Sequence, residues 1–225
     1  MFDPDIYRTL LDGARVTVSV TFLSVAWGTV VAVVLGVGSL AANRLTRFAA
    51  RVYVDVLRGV SVIILLFWVY YGLPLFGVSL SPMQAGVLAL GLNLSAYGAE
   101  IVRGAVQAVP RGQTEAAIAV NLSAWQRITS VILPQAAITI LPPYGSLVIE
   151  VLKASAVVYL ITLADIMFEA RSMQASIDGP ETVDIYVAVL LLYFAISLCV
   201  IACTRLLERH FGRGRGIRVL SGTVK

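Results

Sequence analysis

Several apolar runs longer than about 18 residues dominate this chain of 225 residues, and runs of that length belong in a bilayer. At 1.5 Å per residue, roughly 20 helical residues cross a hydrocarbon core of about 30 Å. The runs predict five transmembrane helices, over about 16–40, 53–76, 83–107, 136–163 and 184–206. Composition agrees: 59% of the residues are hydrophobic and 13% are charged, where a soluble domain carries about 25% charged. The expected fold is an all-α integral membrane protein, a single domain over 1–225. The opening MFDPDIYRTLLDGARV is acidic and lacks a basic n-region, so the first run is expected to stay as a membrane helix rather than leave as a signal peptide.

The loops sort by charge. If the N-terminus is outside, the inner side carries Arg44, Arg47, Arg51, Arg103, Arg111, Arg127, Arg205, Arg209, Arg213, Arg215, Arg218 and Lys225. The outer side carries only Arg8, Arg15 and Arg171. Acids go mostly the other way, with Asp3, Asp5 and Asp12 at the start and Asp165, Glu169, Asp178, Glu181 and Asp184 before the last helix. Positive loops face the cytoplasm, so the N-terminus is predicted outside and the C-terminus inside. Next to a membrane helix, the basic tail reads as a topology signal touching anionic lipid rather than as a nucleic-acid site. Cys199 and Cys203 share an apolar run and are expected to be small buried side chains, not a disulfide or metal site. Gly28, Ala32 and Gly36 on the first helix, and Gly91, Ser95 and Ala99 on the third, recur every fourth residue. Such ladders predict close helix packing.

One stretch breaks the apolar pattern. Residues 115–134, EAAIAVNLSAWQRITSVILP, are too short and too polar to span, and the charge rule puts them in the cytoplasm. Thr114 can cap a first helix over 115–120. Asn121 stands where the chain needs a left-handed residue. Ser123 and Gln126 fit a capping box that starts a second helix, with Trp125, Ile128 and Ile132 on one face and a stop at Pro134. The result is a helical elbow over 114–134 with an acidic tip at Glu115. It suits either the lipid surface or a groove on a partner protein.

The elbow also resembles a family signature. Glu115-Ala116-Ala117, then Asn121, then Val131-Ile132-Leu133-Pro134 is similar to the pattern of permease subunits of bacterial ABC importers, with asparagine for glycine and valine for isoleucine. AYGAEIVRGAVQAVPRGQTEAA, ILPQAAITILPP, YVDVLRG and the lysine of EVLKAS resemble the polar amino-acid uptake branch, over roughly 15–206. The resemblance implies a multi-pass protein of the bacterial plasma (inner) membrane that binds no cofactor. It implies two cytoplasmic ATP-binding subunits, a second permease (identical or sister), an extracytoplasmic solute-binding protein and a small-molecule solute. It makes the elbow a coupling helix, with Glu115, Ala116, Ala117, Asn121, Leu133 and Pro134 in contact with the ATPase. Val60-Ser61, Leu65, Ser146 and Lys153-Ala154-Ser155-Ala156 depart from the branch, and the variant pattern resembles permeases for ectoine-type compatible solutes.

Charged residues inside the membrane normally face a partner or a water-filled path. Asp55 and Arg58, Glu100 and Arg103, and Glu150 and Lys153 are acid–base pairs at i, i+3. The first two lie near the inner interface and read as structural. Glu150 and Lys153 are deepest and are expected to line the solute path with Ser146 and Ser155, Lys153 toward a carboxylate and Glu150 toward a cationic group or toward Lys153. Trp68, Tyr70 and Tyr71 read as outer-interface anchors. An intramembrane serine–histidine enzyme is disfavoured because the only histidine, His210, lies in the tail. The chain also lacks the glycine–lysine spacing of a P-loop, so ATP hydrolysis is assigned to another chain. An ion-gradient-driven carrier or channel is the alternative; it would show internal repeats, and none is visible.

Overall fold

The computed structural model describes residues 4–175 and 181–212, and all its regular elements are helical. Asp3, Asp178 and the tail from residue 213 lie outside the described residues. Among the described residues four helices are long and apolar enough to cross a membrane, and a fifth crossing requires a bent pair to count as one.

The centre of the bundle is a seam between α1 (Pro4–Gly38) and α4 (Pro82–Ala108). The two predicted ladders meet along it in parallel. A Cβ added to Gly28 would lie 2.8 Å from the Gly91 carbonyl oxygen, and one added to Gly36 would lie 2.8 Å from that of Ala99. At Gly91 a Cβ would overlap the Trp27 indole, which fills the space. Backbones this close gain dispersion contacts that larger side chains would forbid. Polar side chains add cross-helix bonds: the Trp27 indole N–H and the Ser24 hydroxyl both donate to the Val87 carbonyl at 3.2 Å.

The second predicted span breaks. α2 (Arg44–Gly59) takes residues 53–59, and α3 (Val62–Phe67) starts after Val60 and Ser61 leave the helix in extended conformation. From α3 the chain continues through a widened π turn (Trp68–Gly72) and a 3-10 turn (Leu73–Phe76), ending at Gly77 with φ 82°. The two halves meet at 103°. The apolar run is therefore an amphipathic helix followed by a short membrane segment, because α2 carries four arginines and cannot enter lipid on all sides. Trp68 and Tyr71 are exposed on the π turn, where Tyr71 packs edge-on against Tyr70.

Beyond α5 (Arg111–Ala119) the chain enters one long rod from Ala124 to Ile161. Its parts are α6 (Ala124–Gln126), a π turn (Arg127–Ile132), α7 (Leu133–Ala154) and a 3-10 segment (Ser155–Ile161). Leu147, Val151, Val158 and Ile161 of the rod join Val20, Leu66, Ala89 and Leu94 in the main core. α8 (Ile166–Gln174) and α9 (Glu181–Gly212) complete the fold. At the N-terminal end of α1, Leu10 packs with Ile166, Ala170, Ile185 and Val189. Cys199 and Cys203 are free, but they are exposed rather than buried, because α9 is the outermost helix and shows that face outward.

Candidate functional site: the elbow and the cavity above it

The elbow is built by local capping chemistry. α5 begins at Arg111 behind Pro110, so Thr114 lies within the helix and does not cap it. Proline supplies a fixed φ suited to a helix start and ends the preceding helix. At its C-terminus the Leu122 N–H reaches the Ala117 carbonyl at 3.1 Å and the Asn121 N–H reaches that of Ile118 at 2.9 Å. Those two bonds make a Schellman motif, and it needs a left-handed residue between them. Asn121 provides it with φ 58°. Ser123 then restarts the helix: its hydroxyl accepts from the Gln126 N–H, and its own N–H donates to the Gln126 side chain at 2.9 Å. Both features agree with the sequence reading.

Pro134 does not stop the second helix. The chain passes through it, because the π turn just before it is one residue wider than an α turn. A regular turn would drive the proline ring against the carbonyl four residues back, and widening removes that clash. The elbow is thus welded to the membrane rod. The Gln135 amide also donates to the Gln113 side-chain oxygen at 3.0 Å, tying α5 to α7 across the bend. Glu115, Ala116 and Asn121 are exposed, Ala117 is buried at the hinge, and Leu133 and Pro134 are half-buried. Ile118, Val120 and Trp125 expose 50%, 69% and 71% of their surface. Ile128 and Ile132, expected on the Trp125 face, are half-buried instead. The tip is an apolar knob with an acid beside it.

About 38 Å along the same rod from Trp125 lies Glu150, which borders a cavity of about 260 Å³ between the α2–α3 break, α4 and α7. Arg58, Ser61, Asn93 and Tyr97 supply the other polar groups of its lining. The Arg58 guanidinium lies over the Tyr97 ring, 5.4 Å from its centre, and 3.9 Å from Glu100. The expected Asp55–Arg58 pair is replaced by this link, since α2 presents Arg58 to α4. The Glu100–Arg103 pair forms as read, with contacts of 3.0 and 2.7 Å.

The sequence reading of the path is partly corrected here. Glu150 and Lys153 make no ion pair among the described residues, and both are exposed on the isolated chain. Lys153 and Ser146 do not border the cavity. Ser155 is fully buried and its hydroxyl donates to the Leu152 carbonyl at 2.8 Å. Arg58, Asn93 and Tyr97 were missed as lining residues, because they converge only through the 103° bend. The Arg-Gly-Val-Ser that ends α2 is the local signal of that bend.

At the other end of the rod, beyond its last turn, Asp165 is fully buried. It caps α8 by accepting from the Phe168 N–H at 2.9 Å, but Oδ2 has no partner among the described residues. Burial pushes its carboxyl up to about 6. By sequence it is an acid of the outer loop, with nothing in its local residues to mark the burial.

Residues 28–213 match the family described as binding-protein-dependent transport system inner membrane component. The chain is 42% identical, over 92% of its length and 88% of the relative's, to the Probable amino-acid ABC transporter permease protein y4tF of Sinorhizobium fredii (strain NBRC 101917 / NGR234). It is 32% identical to the glutamine transport system permease protein GlnP of Escherichia coli (strain K12), over 89% of this chain and 92% of that one. A crystal structure of an amino acid ABC transporter with histidines superposes with a TM-score of 0.81 at 32% identity, covering 91% of this chain and 94% of that chain. The chain belongs to this family. It is a multi-pass inner-membrane permease of the amino-acid ABC transporter type, a transport component and not an enzyme. Permeases of this family work with ATPase subunits and binding proteins.

Proposed function

We propose that the chain works as one unit importing a zwitterionic amino acid, with its N-terminus outside and its elbow in the cytoplasm. The charge of the two bundle ends supports that orientation. Arg44, Arg47, Arg111 and Arg127 gather at the elbow end, and Asp12, Asp165 and Glu169 gather at the other. The elbow knob of Ile118, Val120 and Trp125, with Glu115 beside it, is the docking element for a separate ATPase. An assembly of two permeases, identical or sister, with two ATPase subunits and an external binding protein follows from this reading.

The carrying observation is the continuous rod from Ala124 to Ile161. A push on the knob moves a rigid helix, and that helix carries Glu150 on the wall of the cavity. Within the cavity, Arg58 faces the solute carboxylate and Glu150 its ammonium group; each charged hydrogen bond contributes about 1.5–3 kcal/mol. Asn93 and Ser61 serve the side chain. Lys153 and Ser146 lie on the exposed side of α7, outside the cavity lining. Amino acids are favoured over ectoines because the relatives above are amino-acid permeases by name, and nothing among them supports the ectoine reading.

The test is solute-stimulated ATP hydrolysis by the reconstituted importer, across a panel of amino acids and ectoines. A polar amino acid stimulates severalfold and ectoine does not; stimulation by ectoine alone reverses the solute assignment. Glu115→Ala lowers the stimulation severalfold while membrane insertion is unchanged. Full stimulation in that variant removes the docking role of the tip.

A further inference from the structure

Helix α2 has three faces rather than two. One packs inward: Ala50 and Val54 are buried, and the Tyr53 and Ser95 hydroxyls meet at 2.8 Å. A second is an apolar stripe of Leu45, Phe48, Val52 and Val56, each between 43% and 73% exposed. These residues recur at three- and four-residue steps and so share one side of the helix. The third face carries Arg44 and Arg51, with the exposed Asp55 one turn after Arg51, and keeps a net positive charge. Arg44 and Arg51 lie two turns apart beside the stripe, and both are exposed. Neither makes a hydrogen bond or ion pair among the described residues. The other two arginines of α2 are already engaged, Arg47 with the Ala41 carbonyl at 3.2 Å and Arg58 with Glu100.

The orientation of α2 gives these faces a meaning. It lies at 103° to the segment Val62–Phe76. If that segment runs across the bilayer, the 16 residues of α2 run along its plane for about 24 Å. An in-plane helix with an apolar side and a cationic edge matches the boundary between acyl chains and headgroups. Guanidinium side chains reach from there to phosphate, which they bind through two N–H groups at once.

We propose that this side of α2 is a seat for anionic phospholipid, with acyl chains against Leu45, Phe48, Val52 and Val56 and the headgroup phosphate held by Arg44 and Arg51. Asp55 offsets one of the two cations and Glu100 is within electrostatic reach of Arg51, yet the edge keeps a net positive charge that an anionic surface complements and a neutral one does not. The same helix ends in Arg58 at the cavity wall, so a lipid that fixes α2 also fixes that wall. This inference goes beyond the solute and coupling reading and holds whichever amino acid is carried.

The test uses the whole importer in vesicles of phosphatidylcholine, with and without phosphatidylglycerol. Lipid retained on the purified complex is measured by native mass spectrometry. Wild type retains phosphatidylglycerol over phosphatidylcholine, and its solute-stimulated ATP hydrolysis rises with the anionic fraction. At roughly fivefold per arginine, R44Q/R51Q weakens retention about twenty-fivefold and flattens the lipid dependence, while R44K/R51K keeps most of both. The single change R51Q, about fivefold, serves where the double variant does not fold. Equal retention and equal lipid dependence in wild type and the glutamine variants overturn the proposal. Loss of permease pairing with lipid retention unchanged also overturns it, since a second protein chain would then cover the stripe.

Discussion

Glu100 with Arg103, and Glu150 with Lys153, are each an acid and a base three residues apart on a membrane-crossing helix. The first pair closes and the second stays open. Arg103 holds Glu100 through two N–H groups, and Arg58 approaches the same carboxylate from α2. Glu150 borders a cavity, and Lys153 lies off it. Part of the difference is chemical: a guanidinium fork fits a carboxylate in plane, whereas an ammonium group is a point charge on a flexible stem. The rest is position. Glu100 has a second helix bringing it another cation, and Glu150 has empty space in front of it. A closed pair holds structure; an acid left open is available to a solute.

Asp165 extends this comparison to an acid that is buried with no base beside it among the described residues. Its folded-state pKa of about 6 stands above the ordinary 3.8. Its favourable contribution is therefore full below pH 3.8 and is lost as the pH rises through 6, where the ionised form must be kept out of water. Asparagine keeps the helix cap and carries no charge. Asp165→Asn is expected to stabilise the protein at pH 8 by up to about 3 kcal/mol, with the gain vanishing near pH 4. Thermal unfolding at the two pH values measures this, and a gain that ignores pH would show that the carboxyl does not titrate in this range.

Opening the closed pair comes next in size. Glu100→Gln leaves Arg58 and Arg103 without their shared anion. Full burial would cost about 3–5 kcal/mol, but these groups are about one-third exposed, so a loss of about 1–2 kcal/mol is expected. Glu150→Gln, in the same unfolding assay, should fall within about 0.5 kcal/mol of wild type. If both variants unfold alike, the distinction between the pairs is wrong.

The open acid should instead register in transport. Removing one charged hydrogen bond of about 1.5 kcal/mol lowers solute-stimulated ATP hydrolysis by Glu150→Gln roughly tenfold at subsaturating solute. Lys153→Ala, off the cavity, should act more weakly. The reverse order would move the solute site one turn along α7, to Lys153. A local effect belongs to the elbow turn. Asn121→Ala, forced to φ 58°, should raise hydrogen exchange around residues 117–122 by an amount equivalent to about 1 kcal/mol, and Asn121→Gly should hardly change it.

Much of this was legible in local sequence. The Gly28–Ala32–Gly36 and Gly91–Ser95–Ala99 ladders, the Asn121 turn and the Ser123–Gln126 box each depend on residues within one or two turns. The misses share a different cause. Pro134 reads as a stop because a proline clashes in a regular turn, but the chain widens the turn instead. The 53–76 run reads as one span because apolar length is visible in sequence and a bend of 103° is not. The Asp55–Arg58 pair failed because α4 offered Arg58 a different carboxylate.

The sequence by itself determined that the chain lives in a bilayer, which helices pack closely, where the elbow turns and which end collects arginine. Those properties follow from hydropathy, side-chain size and hydrogen bonds between near neighbours. Only the tertiary structure decided that elbow and membrane helix are one rod, and that Arg58, Asn93, Tyr97 and Glu150 surround one cavity. It also decided that Asp165 is buried with no cation beside it among the described residues. These outcomes depend on which helix lies beside which, and side chains far apart in the chain meet only after the backbone has packed.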